Sequence, residues 1–281
     1  MPQFSASHLQ PRVSLSPYGE QCMKTLGVLL AASSALLLAS CDRNATPVTG
    51  YSVSGTVVQG RQQVTANGTP SITITPWEGG AGSVVASLSS FDSTAGSEIA
   101  RTTLTADGKF NLSVPSPAAA QLGNLDFSDI EDLVASCGGT LTVSNRDVRG
   151  VGLALSVDAN LDGVIFPATG TSVVEGETLV STGSFGGLIY VDRDVTVEGS
   201  QTCNDDASSI SIDVRLTLNQ GWNKTSSTSR VELDRTDQVV KATVTLRSGS
   251  FPTDNWVYLD GTSATPLGLQ SLGMPKVSLF R

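Results

Sequence analysis

From residue 51 onward the chain alternates apolar and polar residues with a period of two. "YSVSGTVV" (51–58) sets Tyr51, Val53 and Val57 on one face, and "SITIT" (71–75) does the same with Ile72 and Ile74. "VGLALSV" (151–157) alternates Val151, Leu153, Leu155 and Val157 with small residues. "ISIDVRLTL" (210–218) places its apolar residues opposite Ser211, Asp213, Arg215 and Thr217, and "VKATVTL" (240–246) repeats the pattern. Successive side chains of a strand point to opposite faces, so these segments read as half-buried strands. "RTTLTADGKFNLSVP" (101–115) carries Leu104 and Ala106 before Asp107-Gly108, and Phe110, Leu112 and Val114 after it. An Asp-Gly pair tolerates the positive φ of a type I′ turn, which predicts a β-hairpin.

One segment breaks the period. "QLGNLDFSDIEDLVASC" (121–137) spaces Leu122, Leu125, Ile130, Leu133 and Val134 for a helix of about two turns. Ser128 lies three residues before Glu131, the pattern of a capping box. The acids Asp126, Asp129, Glu131 and Asp132 suit a solvated face near a helix N-terminus better than a metal cluster. The expected architecture is all-β. Two sandwich-like antiparallel domains, 51–118 and 138–281, are joined by a short helical linker over 119–137.

Toward the N-terminus the pattern is different. Lys24 precedes a charge-free stretch whose apolar core, Leu26–Ala39, is followed by Ser40, Cys41 and Asp42. That core falls short of the roughly 20 residues that span a bilayer, and the layout is that of a signal peptide. Leu38-Ala39-Ser40-Cys41 resembles the lipobox of bacterial lipoproteins. The resemblance implies that the Cys41 thiol receives a diacylglycerol and that the chain is cut just before it. Residues 1–22 then read as an over-extended start, 23–40 as the signal, and "DRNATPVTG" (42–50) as a solvated tether. Asp42 matches an inner-membrane retention rule of enterobacterial lipoproteins, a rule that differs among bacteria. Farther on, "SGTV" and "ADGKFNLSVP" within 51–116 resemble the carboxypeptidase regulatory-like, or transthyretin-like, β-sandwich. That resemblance implies a non-catalytic module that spaces or binds.

Charge narrows the partners. The chain has 17 basic and 26 acidic residues. Without Arg12, Lys24 and Glu20, which precede Cys41, 15 basic and 25 acidic residues remain, a net charge of −10. Nucleic acid and anionic lipid head groups both need a basic field, so neither is an expected partner and membrane attachment falls to the acyl chains. The one histidine, His8, also precedes Met23. Beyond it no Ser-His-Asp or Cys-His site and no imidazole ligand is available. Hydrolysis by two carboxylates stays open, because its geometry is invisible in sequence.

Three candidate sites remain. With Cys22 removed and Cys41 acylated, Cys137 and Cys203 are an even remainder in an oxidising compartment, so they form either one disulfide or two buried thiols. "DANLDG" (158–163) sets Asp158, Asn160 and Asp162 at alternate positions before Gly163, as in the start of a calcium loop. Thr169 stands where such a loop has a bidentate glutamate, although Glu175 or Glu177 could fold back. The other reading is a hairpin turn, which Asn and Asp-Gly form unaided. "LNQGWN" (218–223) resembles a turn common in bacterial surface β-sandwiches, with Trp222 either capping the core or stacking on a sugar. The expected function is a lipid-anchored cell-envelope module, binding or structural and not catalytic, whose partner is an envelope protein or glycan. The alternatives are a calcium-stabilised adhesion or carbohydrate-binding module with a groove near Trp222 or Trp256, and a hydrolase with facing carboxylates.

Overall fold

The computed structural model describes residues 50–64, 70–89, 96–135, 138–204, 208–236 and 238–259. The expected signal (23–40), Cys22, Cys41, Cys137 and most of the expected tether (42–50) lie outside them. The first strands are β1 (Tyr51–Val64), β2 (Pro70–Pro76), β3 (Gly82–Ser89), β4 (Ser97–Leu104) and β5 (Lys109–Val114). Two-residue β6 (Gly123–Asn124) and β7 (Thr142–Val143) flank the helix α1 (Ser128–Ala135). Then come β8 (Arg149–Asp158), β9 (Asp162–Glu175), β10 (Thr178–Val191) and β11 (Val195–Asn204). β12 (Ser209–Leu218), β13 (Gly221–Leu233), β14 (Val239–Ser248) and β15 (Asn255–Leu259) complete the order.

Among the described residues, all fifteen strands belong to one mixed sheet. Its main path runs β2-β1-β15-β9-β8-β10-β13-β14-β12-β11-β7, with β3 and β6 joined to β8, β4 to β3, and β5 to β1. Most pairs are antiparallel, and β1–β15 and β12–β14 are parallel. The all-β expectation holds, whereas the expected boundary between 118 and 138 is crossed by the pairing. β3 pairs with β8 along Ser83↔Asp158 to Ser89↔Gly152, and β15 slots between β1 and β9. Partners so distant in sequence leave no local signature, because alternation reports a strand's faces and not its neighbours.

The core is likewise shared. One cluster joins Val53, Val57, Val84, Leu104, Phe110, Leu112 and Val114 to Leu155, Val157, Ile165, Trp256 and Tyr258. A second gathers Phe127, Ile130 and Val134 with Ile189, Val191, Val195, Val197, Ile212, Val214, Leu216 and Leu218. β10 serves both, because Leu188 packs in the first and Ile189 and Val191 in the second. Phe110 and Phe251 meet Trp256 edge-on, with ring centroids 5.7 and 5.4 Å away. Gly55 makes room for that indole, since a Cβ there would lie 2.4 Å from Trp256 Cδ1.

Three local expectations change. Gly108 does take a positive φ of 83°, but its N–H donates to Thr105 O at 2.9 Å, and Thr105 N–H donates to Lys109 O at 3.0 Å. The central turn residues are therefore Ala106 and Asp107, with Gly108 as the following left-handed residue, a longer turn than the two-residue type I′ form. β4 and β5 do not pair with each other as a ladder. β4 stays on β3 and β5 crosses to β1. The Ser128–Glu131 capping box also fails. The Asp126 carboxylate accepts the Ser128 N–H at 2.9 Å, Ser128 Oγ is buried with no hydrogen-bond partner, and Glu131 pairs with Arg146. α1 is more than a linker, since Ile130 and Val134 are fully buried in the second cluster. Along β12, Ile212 through Leu218 point inward as expected, but Ile210 is 37 % exposed.

A Trp256→Ala substitution is expected to destabilise the protein by about 3–5 kcal/mol, as truncation of a large buried aromatic does. Ile74→Ala, at a site 41 % exposed, should change stability by no more than about 0.5 kcal/mol. Urea unfolding of the two variants checks the contrast.

Candidate functional site

The Asp158–Asp162 segment is the turn between β8 and β9, and the two aspartates are the last paired residues of that ladder. Ala159 and Leu161 pack on the first core cluster, which draws the short loop down onto the sheet. Asn160 N–H donates to Gly79 O at 3.1 Å, and the Tyr258 hydroxyl donates to Asp162 O at 3.2 Å. The Asp158 carboxylate is taken by Arg101, whose Nη1 lies 2.8 Å from its Oδ2. Arg101 also holds Glu98, Nη2 to Oε2 at 2.9 Å. That hydrogen bond holds the Glu98 carboxyl below the usual glutamate range. Like charges facing each other across a ladder repel, and an arginine beside them offsets the cost.

The remaining members of a calcium loop are not brought to this turn. Thr169 sits on β9 opposite Ser184. Glu175 ends β9, and the thirteen residue-to-residue steps of extended strand from Asp162 to Glu175 amount to about 43 Å. Glu175 faces Arg230 and Glu177 pairs with Arg235. Among the described residues no group of three or more His, Cys, Asp or Glu side chains is placed to hold a metal ion.

Trp256 and Trp222 both pack in or against the first core cluster. Trp256 is 3 % exposed. Trp222 is half-buried, meets Tyr190 edge-on at 5.4 Å, and donates its indole N–H to Pro115 O at 3.1 Å. Its neighbour Asn223 braces the turn, with its Oδ1 accepting from Asn219 N–H and its Nδ2 donating to Asn219 O and Gly221 O. Trp222 thus packs against the first core cluster from this turn.

Arginines do much of the work that sequence patterns left unassigned. Arg149 donates through its guanidinium to Leu122 O and Ala119 O, while its N–H donates to Asp192 Oδ1 at 2.9 Å. It thus clasps the segment before α1 to the start of β8. Arg247 reaches Asp213 at 2.6 Å across the parallel β12–β14 pair, and Arg215 reaches the same carboxylate at 3.1 Å. No sequence signal could have found the partners of the Arg149 and Arg247 side chains, because they lie 27 to 34 residues away, whereas Arg215 and Asp213 are two residues apart on β12. Of the helix acids, Glu131 is tied to Arg146 and Asp126 accepts the Ser128 N–H, so these two serve α1 itself. Glu98, Asp107, Asp192 and Asp234 all titrate below their ordinary values. A general acid needs the opposite shift.

No protein-family model matches the chain, and comparison with curated proteins and with solved structures returns no match.

Two outcomes are expected here. With Asp158 held by Arg101, the protein should melt at the same temperature in calcium and in chelator. A rise in calcium that Asp158→Ala and Asp162→Ala abolish would instead make the turn an ion site. Asp192 is stabilised as a carboxylate first by Arg193 and then by the Arg149 N–H. Its folded pKa is therefore below the unfolded value of about 3.9, and its stabilisation is complete above that pH and lost as pH falls through the folded value. Asp192→Asn should cost about 1 kcal/mol at pH 7, with the gap closing in urea melts taken at progressively lower pH below about 4.

Proposed function

We propose that the protein is a lipid-anchored module of a bacterial cell envelope that binds or spaces another envelope component and carries out no chemistry of its own. The observation that carries the anchor is the run from Lys24 through the uncharged apolar core to Leu38-Ala39-Ser40-Cys41. A diacylglyceryl group with a further N-terminal acyl chain supplies more than the single chain that gives only marginal membrane binding. The non-catalytic reading is supported by the absence of histidine beyond His8 and by carboxylates that arginines hold in their charged form. A continuous sheet with a rigid shared core suits a spacer or a docking platform.

A Cys137–Cys203 disulfide belongs to the same proposal. It is supported by the place of Cys203 on β11. The chain just beyond Cys137 also runs beside β11, since a Cβ on Gly139 would lie 2.8 Å from Gln201 Cβ. Closing a loop of this length would stabilise the fold by roughly 2–4 kcal/mol.

One experiment addresses both cysteine claims. Envelope protein is alkylated under denaturing, non-reducing conditions and its peptides are weighed. The expected result is an acylated Cys41 at the N-terminus, no peptide from residues 23–40, and no alkylation at Cys137 or Cys203. An unmodified Cys41 within a longer chain overturns the anchor, and two alkylated thiols overturn the bridge.

A further inference from the structure

One face of the sheet, from β9 across to β11, is an array of hydroxyl groups. The register joins Thr169, Ser184, Thr228, Thr245, Asp213 and Ser200 in one row across six strands. Two residues away along each strand, a second row joins Thr171, Thr182, Arg230, Thr243, Ser211 and Thr202. The apolar residues that alternate with them, Ile212, Val214, Val231, Ala242 and Val244, are buried on the opposite face. Thr171, Ser200 and Thr202 are exposed, and the other members of the two rows are half-buried. Ser184 bonds Thr228 at 2.9 Å and Thr202 bonds Ser211 at 3.0 Å, whereas the remaining six hydroxyls of the rows bond no described residue. Hydroxyls therefore recur about every 4.8 Å across the strands and about every 6.7 Å along them.

The charge of this face is opposite in sign to that of the chain. Arg215, Arg230, Arg247 and Lys241 stand against Glu198, Asp213 and Glu232 on the same face, in a chain of net charge −9. Arg247 is spent on Asp213, reaching its carboxylate at 2.6 Å and its carbonyl at 2.8 Å. Arg215 meets the same carboxylate only through Nε, at 3.1 Å, and its side chain is 68 % exposed. Its two Nη groups bond no described residue, and such a fork takes a carboxylate through two parallel hydrogen bonds.

The two rows hold no aromatic or large apolar side chain, the kind from which protein–protein interfaces draw most of their energy. Small-molecule sites are concave, and this is an open strand face. A long polymer with hydroxyls of its own and scattered acid groups matches it in chemistry and in charge. We propose that this face docks a polysaccharide strand with carboxyl-bearing substituents. The Ser and Thr rows bond its hydroxyls, and Arg215 takes a carboxylate. The docking names the envelope component of the proposed function and rests on that reading.

The test sediments the acylated full-length protein, held in detergent, with purified peptidoglycan sacculi, whose glycan strands have carboxyl-bearing substituents. A second batch of sacculi has those carboxyl groups converted to amides. The wild type should sediment with the first batch. Arg215→Gln and amidation should each weaken the apparent Kd about tenfold, the cost of a lost charge-assisted bond, and amidation should add nothing in Arg215→Gln. Lys109→Gln, which removes an exposed positive charge on β5, should bind as the wild type does. Amidation needs no variant, so it decides the matter even if Arg215→Gln fails to fold. A wild type that partitions into membranes but does not sediment with sacculi overturns the docking and leaves the anchor standing. Binding that amidation leaves unchanged, or that Lys109→Gln weakens as much as Arg215→Gln, overturns the docking too. Carboxyl-dependent sedimentation of a protein absent from the membrane fraction upholds the docking and overturns the anchor alone.

Discussion

The alternation of side chains along β10 is the constraint on which the rest depends. Leu188 points into one core and Ile189 and Val191 into the other, so a single strand is a wall of both. Its neighbours follow from that position. β8 pairs with one end of β10 and β9 with the other, while β13 pairs along nearly all of it. A one-residue slip would turn every apolar side chain of β10 to the wrong face and empty both cores at once.

This sharing explains why no boundary appears where a helix interrupts the strands. α1 contributes Ile130 and Val134 to the second core, and Arg149 ties the preceding segment to β8. At the other end of the chain, β15 brings Trp256 and Tyr258 into the first core, which the N-terminal strands therefore cannot complete alone. The two cores thus share one continuous sheet. Among the protein's acids, Asp158, Asp192 and Asp213 hold turns and strand pairs through arginines.

Strand existence and facing were legible because alternation is a local property. Val53, Val57, Val151, Leu155, Val157 and the inward residues of β12 from Ile212 to Leu218 lie where their parity puts them. The turn at Asn219–Gly221 and the core-capping reading of Trp222 were legible for the same reason. Pairing was not legible. Asp107-Gly108 marks a turn correctly, yet nothing within those fifteen residues says that β4 stays on β3 while β5 crosses to β1. The "DANLDG" spacing is equally consistent with an ion loop and a turn, and Arg101, 57 residues away, is what occupies Asp158. Ile74 and Ile210 alternate like core residues and yet are exposed.

The central claim is that one continuous sheet makes the two cores a single cooperative unit. Native-state hydrogen exchange in increasing, sub-denaturing urea tests it most directly, by following the amides of β1 and β5 against those of β11 and β12. The account predicts that the slowest amides of both sets merge into one opening reaction, with a common free energy and a common dependence on urea. Two opening reactions of different free energy, one for each set, would contradict it and would restore two independent domains.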